Sequence, residues 1–400
     1  MERNQAPTMD FNQEIVTTIH DFNMDFEELR RRLRRLSFRY PTGVIIPVLE
    51  SELSSPAIQR IVEGLNECDY LRKVFIALSA AGGCDAALEA FGGLEVPFEV
   101  IWCNGPEVSA VLEELKGAGL DITGMSGKGK DLWIAIGVAS LELYAFAIHD
   151  ADIIYYSGML PTKLLYPVVE PQLDFLFAKG YYARVNLESK RMYGRIHRLF
   201  ILPLLEALQE KLGHGSEILN YFRAFRYILS GEVAITSDLA LNLRIPCDWG
   251  LEIGMLAELF RNVSCKRICQ VDLGIYEHKH REMTEGELLR TAGDSFLTLL
   301  RTLTETEGVE VSEPFLLSLQ VIYRRVAQDK IRQYHADAIC NGLNYDRHQE
   351  EMYAEMLAGV ILDAGREYLR RPASSQMPDW IRAISAMPDL RERLREAVVK

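Results

Sequence analysis

Asp150 and Asp152 stand one residue apart, directly after the apolar run of residues 141–147. Carboxylates where a core strand opens into a loop suit a hard divalent cation. Mg2+ or Mn2+ binds through one or two of them and completes its shell with water and phosphate oxygens. The chemistry indicated is a grip on a metal and a diphosphate, although a pair of solvated loop acids has the same spelling. Other segments offer matching chemistry. Ser126-Gly127-Lys128-Gly129-Lys130 precedes a helix-like run, and a glycine turn at a helix N-terminus can cradle an anion that Lys128 reaches. It is not a Walker A loop, because Gly129 stands where Ser or Thr should ligate magnesium. Residues 189–198 form a basic island, readable as a salt-bridged helix start or as an arginine clamp for phosphate or carboxylate. His278 and His280 are either metal ligands or solvated histidines on a polar turn.

These residues need a frame. Apolar segments at 44–49, 73–78, 98–102 and 141–147 alternate with helical stretches, which predicts an α/β protein built of parallel βαβ units. Ligands in such sheets bind outside the carboxyl ends of the strands. Those ends carry Glu50, Ser51 and Glu52, then Ser79, Asn104 and the Asp150/Asp152 pair. A helix over residues 55–68 has Ser54 or Ser55 as its cap and Pro56 in its first turn. Residues 10–36 read as one helix ending in a solvated arginine face. Further on, a long helix starts near Pro161, a strand covers 181–185, and helices cover 199–211 and 217–227. Ser230-Gly231-Glu232 is read as leading into another helix. Residues 248–260 form a helix and 267–273 a strand ending at Gly274. Residues 284–400 are helical, opening with the capping pattern Thr284 to Glu287, and read as an oligomerisation or lid module.

Composition narrows the class. The 400 residues are 48% hydrophobic and 25% charged, as in ordinary globular proteins, and divide into an expected 1–40, 41–155, 156–282 and 283–400. A net charge of −13 argues against general nucleic-acid binding, which needs a basic face. No apolar run reaches membrane-spanning length and residues 1–10 lack the apolar core of a signal peptide, so a cytoplasmic protein with no membrane partner is expected. The seven cysteines are scattered, without zinc spacing, and read as reduced thiols. No GxGxxG sits at a strand–helix junction, so nothing supports a dinucleotide.

Taken in order, these segments resemble glycosyltransferase family 81, the glucosyl-3-phosphoglycerate synthases and their mannosyl-using relatives. Ser230-Gly231-Glu232, Gly250-Leu251-Glu252-Ile253-Gly254 and Gln270-Val271-Asp272-Leu273-Gly274 with His278 follow the family's Ser-Gly-Glu, Gly-Val-Glu-Ile-Gly and Gln-Val-Asp-Leu-Gly…His. Gly127-Lys128-Gly129 with Trp133 looks like its Gly-Lys-Gly-Glu-x-x-Trp, and Gly194-Arg195 like its acceptor segment. The resemblance implies a GT-A-type, Rossmann-like mixed sheet flanked by helices, with a helical C-terminal extension. Residues 41–155 would be the nucleotide-sugar half and 156–282 the acceptor half. Mg2+ or Mn2+ would sit on Asp152 and His278. Pro47, Val48, Leu49, Glu50, Ser79, Lys128, Asp150 and Ala151 would bind the donor. Gly194, Arg195, His197 and His280 would bind the acceptor, while Glu252, Lys128 and Asp150 would serve the reaction. A homodimer is implied as well.

The expected activity is retaining, metal-dependent transfer of glucose from a nucleotide sugar, UDP-glucose, to 3-phosphoglycerate. Three positions depart from the family pattern. Glu50 stands where Asn is usual, His197 where Thr is usual, and His280 where an Asn lies near the metal histidine. They keep open GDP-mannose or another small-acid acceptor on the same fold. A non-catalytic nucleotide-sugar binder and a sugar-nucleotide pyrophosphorylase are the remaining alternatives. Glu252 is read either as orienting the sugar or as a nucleophile.

Overall fold

The computed structural model describes residues 13–277, 283–372 and 376–399. Among them run nine strands: β1 (Thr17–Ile19), β2 (Thr42–Leu49), β3 (Leu71–Ser79), β4 (Phe98–Trp102), β5 (Ala145–Ile148), β6 (Phe177–Asn186), β7 (Arg191–Met192), β8 (Val233–Thr236) and β9 (Ile268–Tyr276). Eight form one sheet in the order β1-β9-β6-β8-β5-β2-β3-β4, and β7 pairs with β6 at the side. Only β8 runs against its neighbours β5 and β6 in that row; the other pairings are parallel. The carboxyl ends of β2, β3, β4, β5, β6 and β9 therefore open on one edge, together with the amino end of β8.

The sheet is buried on both faces, so its strands are apolar almost throughout rather than alternating. Along β2, Val44, Ile46 and Val48 join the core on one face, beneath the helices Pro56–Asn66 and Met159–Val169. Ile45 joins the opposite core with Phe75, Ile101 and the helix Lys128–Ala139. That alternation is the period of two of an extended chain. Ser55 caps the first of these helices by accepting from Ala57 N, with Pro56 in the first turn, as the sequence predicts.

Four expectations change. Residues 10–36 are not one helix: the β-branched run Thr17-Thr18-Ile19 pairs with β9, and the helix spans only Phe26–Leu36, capped by Asp25. The chain turns before that cap at Asn23, whose φ is 80°. Ser230-Gly231-Glu232 leads into β8, not a helix, because Val233, Ile235 and Thr236 are β-branched and fill the slot between β5 and β6. The strand expected over 141–147 is Ala145–Ile148, since residues up to Leu143 still turn off the preceding helix, with Leu143 N donating to Ala139 O at 3.0 Å. The strand expected to end at Gly274 continues through that positive-φ glycine to Tyr276.

The C-terminal region is helical and belongs to the same packed body. Thr284 and Glu287 form the capping box of the helix Glu285–Glu307. With Glu313–Cys340 and Arg347–Arg370 it packs beside the sheet domain's helix Leu202–Leu212. The tail then returns: Trp380 stacks on Trp133 at 4.0 Å between ring centres, and Val399 bridges Val100 at the sheet edge. All seven cysteines are free. Among the described residues no helix is long and apolar enough to cross a membrane.

Candidate active site

The loop after β5 and the segment before β8 meet because Ile148 is in register with Val233. Asp150 therefore faces Gly231. A Cβ on Gly231 would lie 3.1 Å from Asp150 Oδ2 and 3.1 Å from Lys128 Nζ, so the glycine lets the backbone pass close over that pair. Lys128 opens the helix Lys128–Ala139 and donates to Asp150 Oδ1 at 2.5 Å, with Glu252 Oε1 3.7 Å away. The flanking glycines have a steric reason of their own: a Cβ at Gly127 or Gly129 would meet the backbone carbonyl of Cys247 or Pro246. Glu252, in the first turn of the helix Leu251–Asn262, lines with Lys128, Lys179, Ser230 and Gly231 a cavity of about 10 Å3, room for about one water.

The electrostatics are crowded with acid. Burial, followed by the charges of Asp150, Glu52 and Glu232, pushes the Asp152 carboxyl up to about 7. Burial also raises Glu252 and, with Asp150, Glu232. Asp150 goes the other way: burial opposes its charge, but Lys128 more than offsets that and holds it below the usual range. Among the described residues no cluster of three or more His, Cys, Asp and Glu is arranged to hold a metal, and His278 and His280 lie outside those residues. Asp152 nevertheless fits the part of one carboxylate ligand. Like charges around it raise its proton affinity, and a divalent cation would relieve the same repulsion.

Several supporting groups carry no clear signal in the sequence. Glu232 is fully buried and accepts from Tyr182 OH at 2.6 Å and Tyr276 OH at 2.8 Å, from two rings stacked 4.0 Å apart. Lys179, buried within β6, donates to Ser230 O at 2.7 Å, and burial lowers it to about 8. His149 donates from Nδ1 to the Asp150 carbonyl at 3.1 Å, since a carbonyl only accepts, and its Nε2 takes Tyr156 OH at 2.8 Å. Burial lowers this imidazole to about 4, so it stays neutral. The only sequence hints are a charge within an apolar strand, at Lys179, and the Ser-Gly-Glu spelling around Glu232.

The other expected donor residues line the same edge. Pro47 and Val48 are buried in β2 and Leu49 is exposed at its end, while Ala151 is buried beneath the Asp150/Asp152 turn. Glu50 accepts from Ala81 N at 2.7 Å, tying the ends of β2 and β3. Ser79 donates to Asp131 at 2.8 Å; burial raises that carboxyl to about 6.

Of the expected acceptor residues, Gly194, Arg195 and His197 follow β7, and His280 lies outside the described residues. Gly194 has φ +76°, and a Cβ there would come within 2.9 Å of Tyr227 OH. Arg195 precedes a π-helical stretch, Ile196–Ile201, the kind of irregular turn found at functional sites. Its guanidinium lies 4.5 Å from the centre of the Tyr353 ring and donates to Tyr353 OH at 3.3 Å. His197 is buried instead of presented: it stacks on Tyr227 at 4.2 Å and accepts from Ile228 N at 3.3 Å. Burial, then the cations Arg198, Lys179 and Arg184, lower it to about 3. Tyr227 touches both sides, stacking on His197 and lying 4.9 Å from Tyr182, whose hydroxyl binds Glu232.

Comparison with known proteins bears on this arrangement. The chain is 51% identical over 397 residues to the glucosyl-3-phosphoglycerate synthase of Methanococcoides burtonii, covering 98% of each chain. It is 37% identical over 398 residues to that of Persephonella marina, covering 97% of each. Among solved structures, a glucosyl-3-phosphoglycerate synthase of Mycobacterium tuberculosis, in complex with Mn2+, UDP-glucose and phosphoglyceric acid, matches with TM-score 0.52 and 22% identity. That match covers 72% of this chain and 87% of the other. The mannosyl-3-phosphoglycerate synthase of Rubrobacter xylanophilus matches with TM-score 0.55 and 20% identity, over 74% and 84%. These likenesses establish the shared mixed-sheet fold. No family model matches the chain.

Proposed function

Since the chain belongs to the glucosyl-3-phosphoglycerate synthase family and is a glycosyltransferase, we propose that it transfers glucose from UDP-glucose to 3-phosphoglycerate with retention at the anomeric carbon. The observation that carries this is the 51% identity, across 98% of both chains, to a protein named for that reaction. The fold comparison alone favours neither sugar, since a glucosyl and a mannosyl enzyme match about equally well.

The residues support a division of labour. Asp152, with His278, would hold a divalent cation, which supplies charge neutralisation on the departing diphosphate. Lys128 is part-buried and held by Asp150 at the same place, so it can donate to that leaving group with little reorganisation. Asp150 keeps the ammonium charged and directed. Glu252 orients the sugar from the cavity wall opposite. Pro47, Val48, Leu49, Glu50 and Ser79 line the nucleotide at the strand ends, and Ala151 fixes the turn between the two aspartates. Gly194 and Arg195 take the phosphate or carboxylate of the acceptor and bring its hydroxyl to the anomeric carbon.

A second reading, GDP-mannose on the same scaffold, draws on Glu50, whose carboxylate bridges two strand ends where the base would lie. One assay separates the readings: product formation from 3-phosphoglycerate with UDP-glucose or GDP-mannose, with Mg2+ or Mn2+, and with EDTA. A glucosylated product that EDTA abolishes is expected. A mannosylated product in its place, or metal-dependent UDP binding without turnover, would overturn the proposal. Arg195→Ala should raise KM for 3-phosphoglycerate about thirtyfold, as loss of a charged contact does, and leave KM for UDP-glucose unchanged.

A further inference from the structure

The C-terminal helices reach the basic island along its whole length. Before the π-helical stretch, Asn344 donates from its backbone N to Lys190 O at 2.6 Å and from its side chain to Ser189 O at 3.0 Å. Within the stretch, Tyr323 OH, fully buried, donates to Leu199 O at 2.6 Å. Arg198 donates to both Glu350 oxygens, at 2.8 and 3.3 Å, while its Nε holds Tyr193 O at 2.9 Å. Both members of that ion pair are buried. One helical turn beyond Glu350, Tyr353 carries Arg195 on its ring face and hydroxyl. Residues three apart on a helix point the same way, so the helix Arg347–Arg370 presents two anchors to two arginines three apart in sequence.

The two anchors differ in what they leave available. A carboxylate neutralises Arg198 and consumes its fork geometry. Tyrosine orients Arg195 without cancelling its charge: the ring attracts the cation weakly and the hydroxyl takes one donor of five. A guanidinium held in this way is oriented before the ligand arrives and keeps a charge for it.

We propose that the C-terminal helices complete the acceptor subsite, with Tyr353 as the positioning residue that pre-orients Arg195 and Glu350 as the one that anchors the segment through Arg198. The inference rests on Arg195 being the acceptor's anion clamp. It gives residues 284–400 a part in acceptor affinity beyond packing.

The test is steady-state kinetics of the full-length protein with UDP-glucose, 3-phosphoglycerate and Mg2+, for Tyr353→Leu, Tyr353→Phe, Tyr353→Trp and Arg195→Ala. Tyr353→Leu should raise KM for 3-phosphoglycerate about tenfold, the value of a partly desolvated cation–π contact. KM for UDP-glucose and the melting temperature should hold. Tyr353→Phe should fall about twofold short of wild type, and Tyr353→Trp, which keeps the stronger ring, should restore most of the affinity. A Tyr353→Leu enzyme with wild-type acceptor KM beside a weakened Arg195→Ala would overturn the inference alone. Wild-type acceptor KM in Arg195→Ala would overturn the clamp assignment beneath it. Equal rises in both KM values, with a lower melting temperature, would reduce Tyr353 to a packing residue and overturn the inference too. Should Tyr353→Leu fail to fold, Tyr353→Phe against Tyr353→Trp decides the matter by the same split.

Discussion

At the carboxyl edge of the sheet, Asp150, Glu232 and Glu252 gather around Lys128 with Asp152 beside Asp150, and three of the four acids are pushed toward protonation by burial and by neighbouring carboxylates. In the basic island the charges are arranged the other way. Arg198 meets a carboxylate, Arg195 meets an aromatic hydroxyl and ring, and His197 is kept neutral. One region holds negative charge at close quarters; the other sets Arg198 on a carboxylate and Arg195 on a tyrosine that leaves the guanidinium's charge in place. Buried like charges are costly unless something compensates them. On the proposed assignment the first region would receive a cation and the second an anion, so that one would be completed by a metal and the other by the acceptor.

The strongest way to break the comparison is to remove the Asp152 charge, which Asp150, Glu52 and Glu232 all repel. Asp152→Asn keeps the side chain's size and removes its anion. Turnover should fall about a thousandfold, the scale of losing a transition-state charge stabiliser. UDP binding by calorimetry should stop responding to EDTA. Near-wild-type turnover in Asp152→Asn would mean that the crowding at this edge serves packing and that the cation is held elsewhere.

A smaller effect sharpens the same point through pH. Asp152 rises from its ordinary 3.8 to about 7 in the folded chain. A carboxyl whose folded pKa is raised adds stability that is complete below its unfolded value and is lost as pH climbs through the folded one. The metal-free protein should therefore melt at a lower temperature as pH goes from 5 to 8. Cation binding must displace that proton, so affinity for Mn2+ should tighten up to about tenfold per pH unit below 7 and then level off. Calorimetry at pH 6 in buffers of different ionisation heat should report the release of about one proton. Asp152→Asn should flatten both trends. Binding that is indifferent to pH, with no proton released, would contradict the assignment.

The contrast also explains what the sequence could show. The strands 44–49, 73–78 and 98–102 are legible because buried parallel strands are spelled as apolar runs, and Asp150, Asp152 and Lys128 are legible because they stand at strand and helix ends. The β8 strand was hidden because four residues after Ser-Gly-Glu are too few for a period, and only pairing with β5 and β6 decides them. The N-terminal strand was hidden for the same reason, being three residues long. Lys179 and the Tyr182–Tyr276 pair act through contacts made across the sheet, which local spelling does not record. Glu350 and Tyr353 lie more than 150 positions from the arginines they hold, with separations of 152 and 158. A distance of that kind is invisible to motif spacing, and so the helical tail offers no chemistry until it is folded.

The smallest expected effect concerns His197, which sits between the two arginines in sequence but not in role. Its imidazole is stacked on Tyr227 and accepts the Ile228 N–H, an arrangement that only the neutral ring can make at that nitrogen. Burial lowers it from 6.5 to about 3, so the folded chain binds fewer protons than the unfolded one between those values. Stability from this group is present above pH 6.5 and fades as pH falls toward 3. His197→Gln should change KM for 3-phosphoglycerate by less than about threefold, as expected for one altered hydrogen bond away from the ligand. That KM should be equally flat in wild type and variant from pH 5.5 to 8. Denaturant melts should show a shallower acid limb in the variant, because the group that resisted protonation is gone. An acceptor KM that improves below pH 6.5 in the wild type alone would place an imidazolium on the anion. In that event the island would act as a single basic clamp, and the contrast between its paired and unpaired charges would fail where it is most finely drawn.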